Sequence, residues 1–342
     1  MKNILICLFI AIHAVWIVST GCKKDDGRNG CGEDTITMTT GADNMNIYIK
    51  CVDGFTVDWG DGSPVDTYNS ISTCRHNYSD EFTRTVTVTG KHIIELVCYS
   101  KITGLDISKS TDLASLQYYG GQLTNLDVSN NTALISLLIA DSPLTNLDVS
   151  KCTALTGLYC SGNELTGLDV SKCTALEELR CNNNQLTSLD VSYNTALKRL
   201  ECLGNQLTSL DMSYNTALIE LDCRGNQLTS LDVSYNTALK RLSCDGNQLT
   251  NLVMGKNTLL THLYCYANQL INLDVSYNTD LRHLDCSFNE LTGYELDALF
   301  KTLVDHRSYG SFGFIDVWDN PGSNDCDPSI AWDKGWSVAK KY

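Results

Sequence analysis

The sequence predicts a β-rich solenoid, a stack of 21-residue coils in which one short strand per coil builds a parallel sheet along a concave face. Three observations predict it. Cys160, Cys181, Cys202, Cys223, Cys244, Cys265 and Cys286 recur at a step of 21 residues. Asn163, Asn184, Asn205, Asn226, Asn247, Asn268 and Asn289 keep the same step, as do the leucines from Leu123 to Leu291. No insertion breaks this phase between Ile102 and Leu291, which makes about nine coils. One such coil cannot bury its apolar residues alone, whereas a stack of them can. A small N-terminal β domain and a short helical cap complete the predicted architecture.

Composition agrees with a buried core. The chain has 342 residues, 43% hydrophobic and 19% charged, too apolar for disorder and long enough for a sizeable interior. No stretch reaches the roughly 18 apolar residues of a spanning helix. Asp and Glu number 40 against 25 Lys and Arg, a formal charge of −15. A surface of that sign repels phosphate backbones and argues against nucleic acid as a partner.

Residues 1–21 are expected to be a targeting segment, with Lys2 before an apolar run from Ile4 to Val18 broken only by His13. Ser19-Thr20-Gly21-Cys22 resembles the lipobox of bacterial lipoproteins, although Ser19 stands where Leu is commonest. The resemblance implies a diacylated Cys22 as the mature N-terminus, with membrane contact through lipid alone. Lys23-Lys24-Asp25-Asp26 is similar to the surface-export signal of Bacteroidetes-type lipoproteins. It implies an outer-membrane location facing the exterior. Residues 22–33 are polar and read as a tether.

Residues 34–100 fall outside the 21-residue phase and read as short strands, among them Met45-Asn-Ile-Tyr-Ile and Thr83-Arg-Thr-Val-Thr-Val-Thr. Val57-Asp58-Trp59-Gly60-Asp61-Gly62-Ser63, followed by His76-Asn77-Tyr78, resembles the turn of PKD-type β-sandwiches. Asp58, Asp61 and Asp66 could hold Ca²⁺, but a Gly-Asp-Gly hairpin turn accounts for the same residues without metal. The segment must also cover the open edge of the first coil. Ile93 to Cys98 already reads as a degenerate coil, one residue out of phase.

Within residues 101–292, Leu197-Lys-Arg-Leu200-Glu-Cys202-Leu-Gly-Asn205-Gln-Leu207 fits the frame LxxLxLxxNxL and resembles the leucine-rich repeat, with Cys202 in the third apolar slot. Leu200 and Cys202, two apart, point to one side of a strand and into the core. Asn205 sits where the strand ends, placed to bond backbone groups of the neighbouring coil that no sheet bond reaches. Strands ~4.8 Å apart make an array roughly 40 Å long. The return segment, such as Leu210-Asp-Met-Ser-Tyr214-Asn-Thr, is too short for a helix and should be extended or tightly turned.

The cysteine column has a metal or disulfide reading and a packing reading. Zinc needs ligands that converge, and this column is a line. Parallel in-register side chains do not offer the torsion near 90° that a disulfide wants. Packing as small buried hydrophobes is therefore expected. Cys152 and Cys173, one coil apart on the convex side, are better placed to pair, and that question stays open. Tyr193, Tyr214, Tyr235 and Tyr277 are expected to pack as a convex stack.

Residues 293–342 read as a cap. Tyr294 to Val304 has helical spacing, Phe314 to Gly322 imitates one more strand and turn, and Ile330 to Val338 closes with an amphipathic turn. The unit resembles the C-terminal caps of internalin-like repeat proteins.

No phosphate-binding, nucleophile-elbow or zinc-protease motif occurs, so neither an enzyme nor a cofactor is expected. His262 and His283 share a column and lie near Asp285, but repeat registration alone generates that grouping, and a metal site there is not expected. What the repeat does predict is a broad face. One outward column reads Tyr159, Arg180, Glu201, Asp222, Ser243, Tyr264, Asp285; the next includes Arg224 and Tyr266, and the preceding one His262. These positions vary while the core repeats, and Tyr and Arg are typical interface anchors. The expected function is binding of a protein at the concave face, with adhesion as what the resemblance implies. Glycan capture through the tyrosines, or a structural envelope role without a ligand, are the alternatives.

Overall fold

The computed structural model describes residues 33–340, and residues from Glu33 onward form one compact unit. The expected targeting segment, Cys22 and the expected tether as far as residue 32 lie outside the described residues. The first strands are β1 (Asp34–Thr40), β2 (Asn44–Lys50), β3 (Phe55–Asp58), β4 (Asp66–Tyr68), β5 (Ile71–Asn77), β6 (Arg84–Gly90) and β7 (Glu95–Cys98). They alternate buried and partly exposed residues, as strands with one face on a core must.

These strands divide between two sheets. One has five strands in the order β4, β3, β6, β1 and the short strand Gly104–Asp106 of the first return segment. The other has fourteen, and β5 and β2 are its antiparallel end. From β7 onward that sheet is parallel, through coil after coil to Trp336–Ala339. The N-terminal segment thus extends the solenoid sheet itself and covers its first edge. Ile36, Met38, Ile47, Ile49, Val57, Trp59, Val86 and Val88 fill the space between the two sheets and join the solenoid core without a break.

Asp58, Asp61 and Asp66 are not brought together as a metal cage. Asp58 accepts from the Gly60 N–H at 2.9 Å, and Asp61 accepts from Ser63 N–H at 3.0 Å and contacts His76 Nε2 at 2.7 Å. Asp66 accepts from Trp59 Nε1 at 2.7 Å and from the Tyr68 hydroxyl at 3.2 Å. Each carboxylate serves its own turn or ring. Gly60 has φ +75°, and a Cβ there would lie 2.3 Å from the Thr85 carbonyl, so no other residue fits.

The periodic region forms the predicted coils. Leu158, Leu179, Leu200, Leu221, Leu242 and Leu263 stand opposite one another in register and are buried, with the seven cysteines of the column behind them. The asparagine column closes each strand end. Asn205 Nδ2 donates to the Cys181 carbonyl of the preceding coil and to its own Cys202 carbonyl, both at 3.0 Å, while Oδ1 accepts from the Leu186 N–H at 3.0 Å. A second buried column runs along the convex side: Asn131, Cys152, Cys173, Asn194, Asn215, Asn236, Asn257 and Asn278. Asn215 Nδ2 donates to Val191 O at 3.0 Å and Asn194 O at 2.9 Å. Cys152 and Cys173 occupy asparagine slots in this column and use their thiols in the same way, each donating to two carbonyls of the preceding coil at 3.6–3.8 Å. They are not paired; all thirteen cysteines among the described residues are free and buried. Burial pushes Cys160 up to about 12 and Cys152 and Cys173 to about 11, so these thiols are poor nucleophiles. Iodoacetamide should therefore leave the described cysteines unmodified in the native chain and alkylate them once urea unfolds it, a difference read by intact-mass spectrometry.

The return segments turn at an aspartate whose carboxylate accepts from the serine N–H two residues on, as in Asp211 and Ser213 at 2.9 Å. This lowers the pKa of Asp148, Asp169 and Asp190 through those serine hydrogen bonds. The convex tyrosines do not pack as expected. Tyr193, Tyr214, Tyr235 and Tyr277 are 57–60% exposed, because the neighbouring asparagine points inward at this turn and carries its flanking tyrosine outward.

The parallel ladder also runs past the periodic region. Gly313–Asp316 pairs with His283–Asp285, and Trp336–Ala339 pairs with Gly313–Asp316. Nine of the parallel strands lie within residues 101–292, one for each expected coil, and β7, Gly313–Asp316 and Trp336–Ala339 bring the number to twelve, the fourteen of the sheet less β2 and β5. Asn320 continues the asparagine column, donating to the Cys286 carbonyl at 2.9 Å and accepting from Leu291 N–H at 3.1 Å. It follows Asn289 by 31 residues instead of 21, and the ten extra residues equal the length of α1 (Gly293–Thr302), which is inserted between them. Leu296, Leu299 and Phe300 of α1 are buried against the last coils. His306 locks the cap, its Nε2 on the Leu281 carbonyl at 2.9 Å and its Nδ1 on Ser311 Oγ at 3.1 Å.

Candidate functional site

Residues that flank the buried leucine of each strand point out on the concave side, so the sheet displays three columns. The register places Tyr159, Arg180, Glu201, Asp222, Ser243, Tyr264 and Asp285 opposite one another in the central column, continued by Asp316. Beside it run Glu178, Arg199, Glu220, Arg241, His262, His283 and Phe314. One step further along each strand stand Asn182, Leu203, Arg224, Asp245, Tyr266 and Ser287.

The upstream half of this face is a continuous charge network. Arg180 binds Glu178 through Nε at 2.9 Å and Nη2 at 2.5 Å and reaches Glu201 at 3.5 Å. Arg199 stands among Glu220 at 2.8 Å, Glu178 at 3.5 Å and Glu201 at 3.6 Å. The Tyr159 hydroxyl donates to Glu178 at 2.8 Å, and the Arg180 guanidinium lies 5.5 Å from the Tyr159 ring centroid. Burial pushes Glu178 up, but hydrogen bonds from Arg180 and Tyr159 and the two arginine charges outweigh it and hold the carboxyl below its usual range. Arg224 forms a two-point fork on Asp222 at 2.8 and 2.6 Å. These ions are partly solvated, so the network is worth little to folding. Arg199→Ala should change the unfolding free energy by no more than ~1 kcal/mol, read by urea titration.

Between Asp222 and Tyr264 the central column carries only Ser243, and the short side chain leaves a hollow of about 570 Å³. Arg241, Asp222, Arg224, Asp245, Tyr264 and Tyr266 are among its walls. Asp245 is 5% exposed, and its Oδ1 has no hydrogen-bond partner. Burial raises its pKa, against the hydrogen bond from Tyr266 and the charge of Arg224. The structure therefore brings Glu201, Asp222, Arg224, Tyr264 and Tyr266 to one hollow, while Tyr159 and Arg180 lie upstream and His262 and Asp285 on its downstream side.

His262 and His283 stack, ring centroids 4.6 Å apart at 13°, and Thr261 Oγ1 bonds His262 Nδ1 at 2.8 Å. Among the described residues no group of three His, Cys, Asp or Glu side chains could hold a metal ion. Arg199, Glu178, Glu220 and Asp245 were legible in the sequence as members of these outward columns, and the structure adds the ion pairs that join the first three. Phe314 and Trp318, which α1 pushes out of phase, fall on the strand and turn expected from Phe314 to Gly322, and Phe314 continues the column that begins at Glu178.

The chain resembles solved structures of known proteins. The functional domain of InlJ from Listeria monocytogenes, which includes a cysteine ladder, matches with 34% identity over 72% of this chain and a TM-score of 0.56. This chain covers 49% of that one, about half its length. A leucine-rich repeat protein of Leptospira interrogans matches at 23% identity over 69% of each chain, TM-score 0.52. The leucine-rich repeat ectodomain of the plant receptor kinase GASSHO1/SCHENGEN3 from Arabidopsis thaliana, in complex with CASPARIAN STRIP INTEGRITY FACTOR 2, matches at 22% over 68% of this chain and 31% of its own, TM-score 0.54. No protein-family model and no curated protein matches the chain. The fold is a leucine-rich repeat solenoid.

Proposed function

We propose that the concave sheet is a protein-binding face and that the chain works as a non-enzymatic, lipid-anchored surface protein in adhesion. One observation carries the reading. Core positions repeat coil after coil as Leu, Cys and Asn, while the three outward columns differ in nearly every coil and bring Tyr, Arg and acids together around a hollow. A face needed only for solubility has no use for tyrosines at that place. The GASSHO1/SCHENGEN3 ectodomain, of the same fold, is known in complex with a factor that it holds, which supports a binding use of the fold. Anchoring through Cys22 in the outer membrane, facing outward, and a PKD-like character of residues 34–100 belong to the same proposal and rest on the sequence motifs.

The test has two parts. Protease shaving of intact cells of the source organism should release peptides from residues 160–290; release only after lysis places the chain inside the envelope and removes adhesion. Binding of the full chain to host or neighbouring cells should then weaken with added salt and by about tenfold in Arg180→Ala with Arg224→Ala, because charged interfaces are screened. Loss in Tyr264→Ala with Tyr266→Ala, without salt dependence, would favour a glycan ligand. No effect of either pair would leave a structural role.

A further inference from the structure

The charge network stops at Asp222 and Arg224, and the next three coils are built differently. Upstream, Arg180, Arg199 and Arg224 are each held by a carboxylate. Downstream, on the side where the chain enters the strands, Lys240, Arg241 and Arg282 are exposed, and no carboxylate among the described residues pairs with them. His262 and His283 stand between them on the same side. Acids that form no ion pair among the described residues occupy the other side and the centre: Asp285, Asp316 and Asp245, the last also under the charge of Arg224. Asp285 and Asp316 face each other directly on adjacent strands, an arrangement that costs stability. The face is therefore polarised across its width, basic where strands begin and acidic toward the middle and the far side.

We infer that this stretch takes an acidic segment of a protein partner, its carboxylates lying along Lys240, Arg241, His262, His283 and Arg282. The inference rests on the concave sheet being a binding face. Its chemistry follows from the polarity. A uniformly anionic chain, such as a sulfated glycan, that crossed the sheet would meet Asp245, Asp285 and Asp316 and be repelled. A peptide with acids on one flank and donors or basic groups on the other meets both sides with complementary charge.

The histidines add a pH signature. His262 is faced by Arg241 and His283 from the neighbouring strands, by Tyr264 on its own strand and by the Thr261 hydroxyl, with Lys240 and Arg282 at the edge and Asp245 and Asp285 across the sheet. Burial first, then Arg241, His283 and Arg282, hold its imidazole below the usual value, so it is neutral at pH 7.5. A bound carboxylate favours the imidazolium. Binding then takes up a proton, and affinity rises as pH falls while glutamate side chains remain ionised.

The test titrates the full chain into a fluorescein-labelled peptide of repeating Glu-Lys-Glu-Ser, whose extended form sets acids on one flank and lysines and hydroxyls on the other, at low salt, with anisotropy as readout. Binding should tighten about threefold to tenfold from pH 7.5 to pH 5.5, the size expected of one linked histidine proton. Arg241→Ala with Arg282→Ala, both exposed and neutral to the fold, should weaken it about tenfold at either pH. His262→Gln with His283→Gln should erase the tightening between pH 7.5 and pH 5.5. Failure to bind at both pH values, or indifference to the arginine pair, overturns the inference. Tighter binding of heparin than of the peptide overturns it too and assigns the strip to a polyanion. If cell binding still depends on Arg180 and Arg224 while the peptide fails, the strip alone is wrong; if both fail, the binding face itself is wrong.

Discussion

Asn226→Ala should cost roughly 3–6 kcal/mol of unfolding free energy, since three buried backbone groups lose their partner at about 1–3 kcal/mol each, offset by partial relaxation. Asn226 Nδ2 donates to the Cys202 and Cys223 carbonyls, both at 3.0 Å, and its Oδ1 accepts from the Leu207 N–H at 3.0 Å. These groups lie where the chain leaves the strand, so neither the sheet nor water reaches them. Asn226→Asp should fare no better. A carboxylate keeps the acceptor but loses both donors and sets a charge against two carbonyl dipoles. Urea unfolding followed by circular dichroism measures the difference. A loss below 1 kcal/mol would mean that the column decorates the coils without tying them together.

Leu200→Ala should cost about 2–5 kcal/mol, the range for emptying a well-packed buried leucine site. Leu200 is fully buried in the middle of the ladder, paired on one side with Leu179 and on the other with Leu221. Each coil touches only its neighbours, so the cavity weakens two interfaces at once and separates the solenoid into halves. Hydrogen exchange should show the loss as faster opening on both sides of residue 200, with β1 and β6 least affected. Uniform loss over the whole chain would contradict nearest-neighbour coupling. The exposed Tyr214, by comparison, should tolerate Tyr214→Ser within about 0.5 kcal/mol, as surface substitutions do.

These expectations show what the chain order reveals and what it hides. A strict step of 21 residues makes the coils, the core leucines and the asparagine column readable, because every copy repeats one set of backbone needs. The convex column was visible as a step too, in Asn194, Asn215, Asn236 and Asn278. Its function was not, since nothing in spacing says that Cys152 and Cys173 replace an amide donor with a thiol. Convex tyrosines look like packing residues by type, yet they sit next to the inward asparagine and must point out. Of the last two strands, Gly313–Asp316 shows in the sequence as one more strand and turn although α1 adds ten residues and carries Phe314, Trp318 and Asn320 out of phase, whereas Trp336–Ala339 was hidden in what reads as an amphipathic turn. On the concave face, register alone predicts which side chains are neighbours. It does not predict which arginines are held by acids, because Arg199 chooses among Glu178, Glu201 and Glu220 by side-chain reach. The hollow over Ser243 was likewise unseen, being the absence of a side chain between two large ones.

The central claim is that the concave sheet, and not the convex surface, meets the partner. Site-specific photo-crosslinking tests it most directly, with a photoreactive residue at Glu201 in one chain and at Tyr214 in another, each presented to host or neighbouring cells. The account predicts a discrete protein adduct from position 201, reduced by Arg180→Ala with Arg224→Ala, and none from position 214. Adducts from position 214 with none from position 201 would contradict it and move the binding surface to the exposed tyrosines of the convex side.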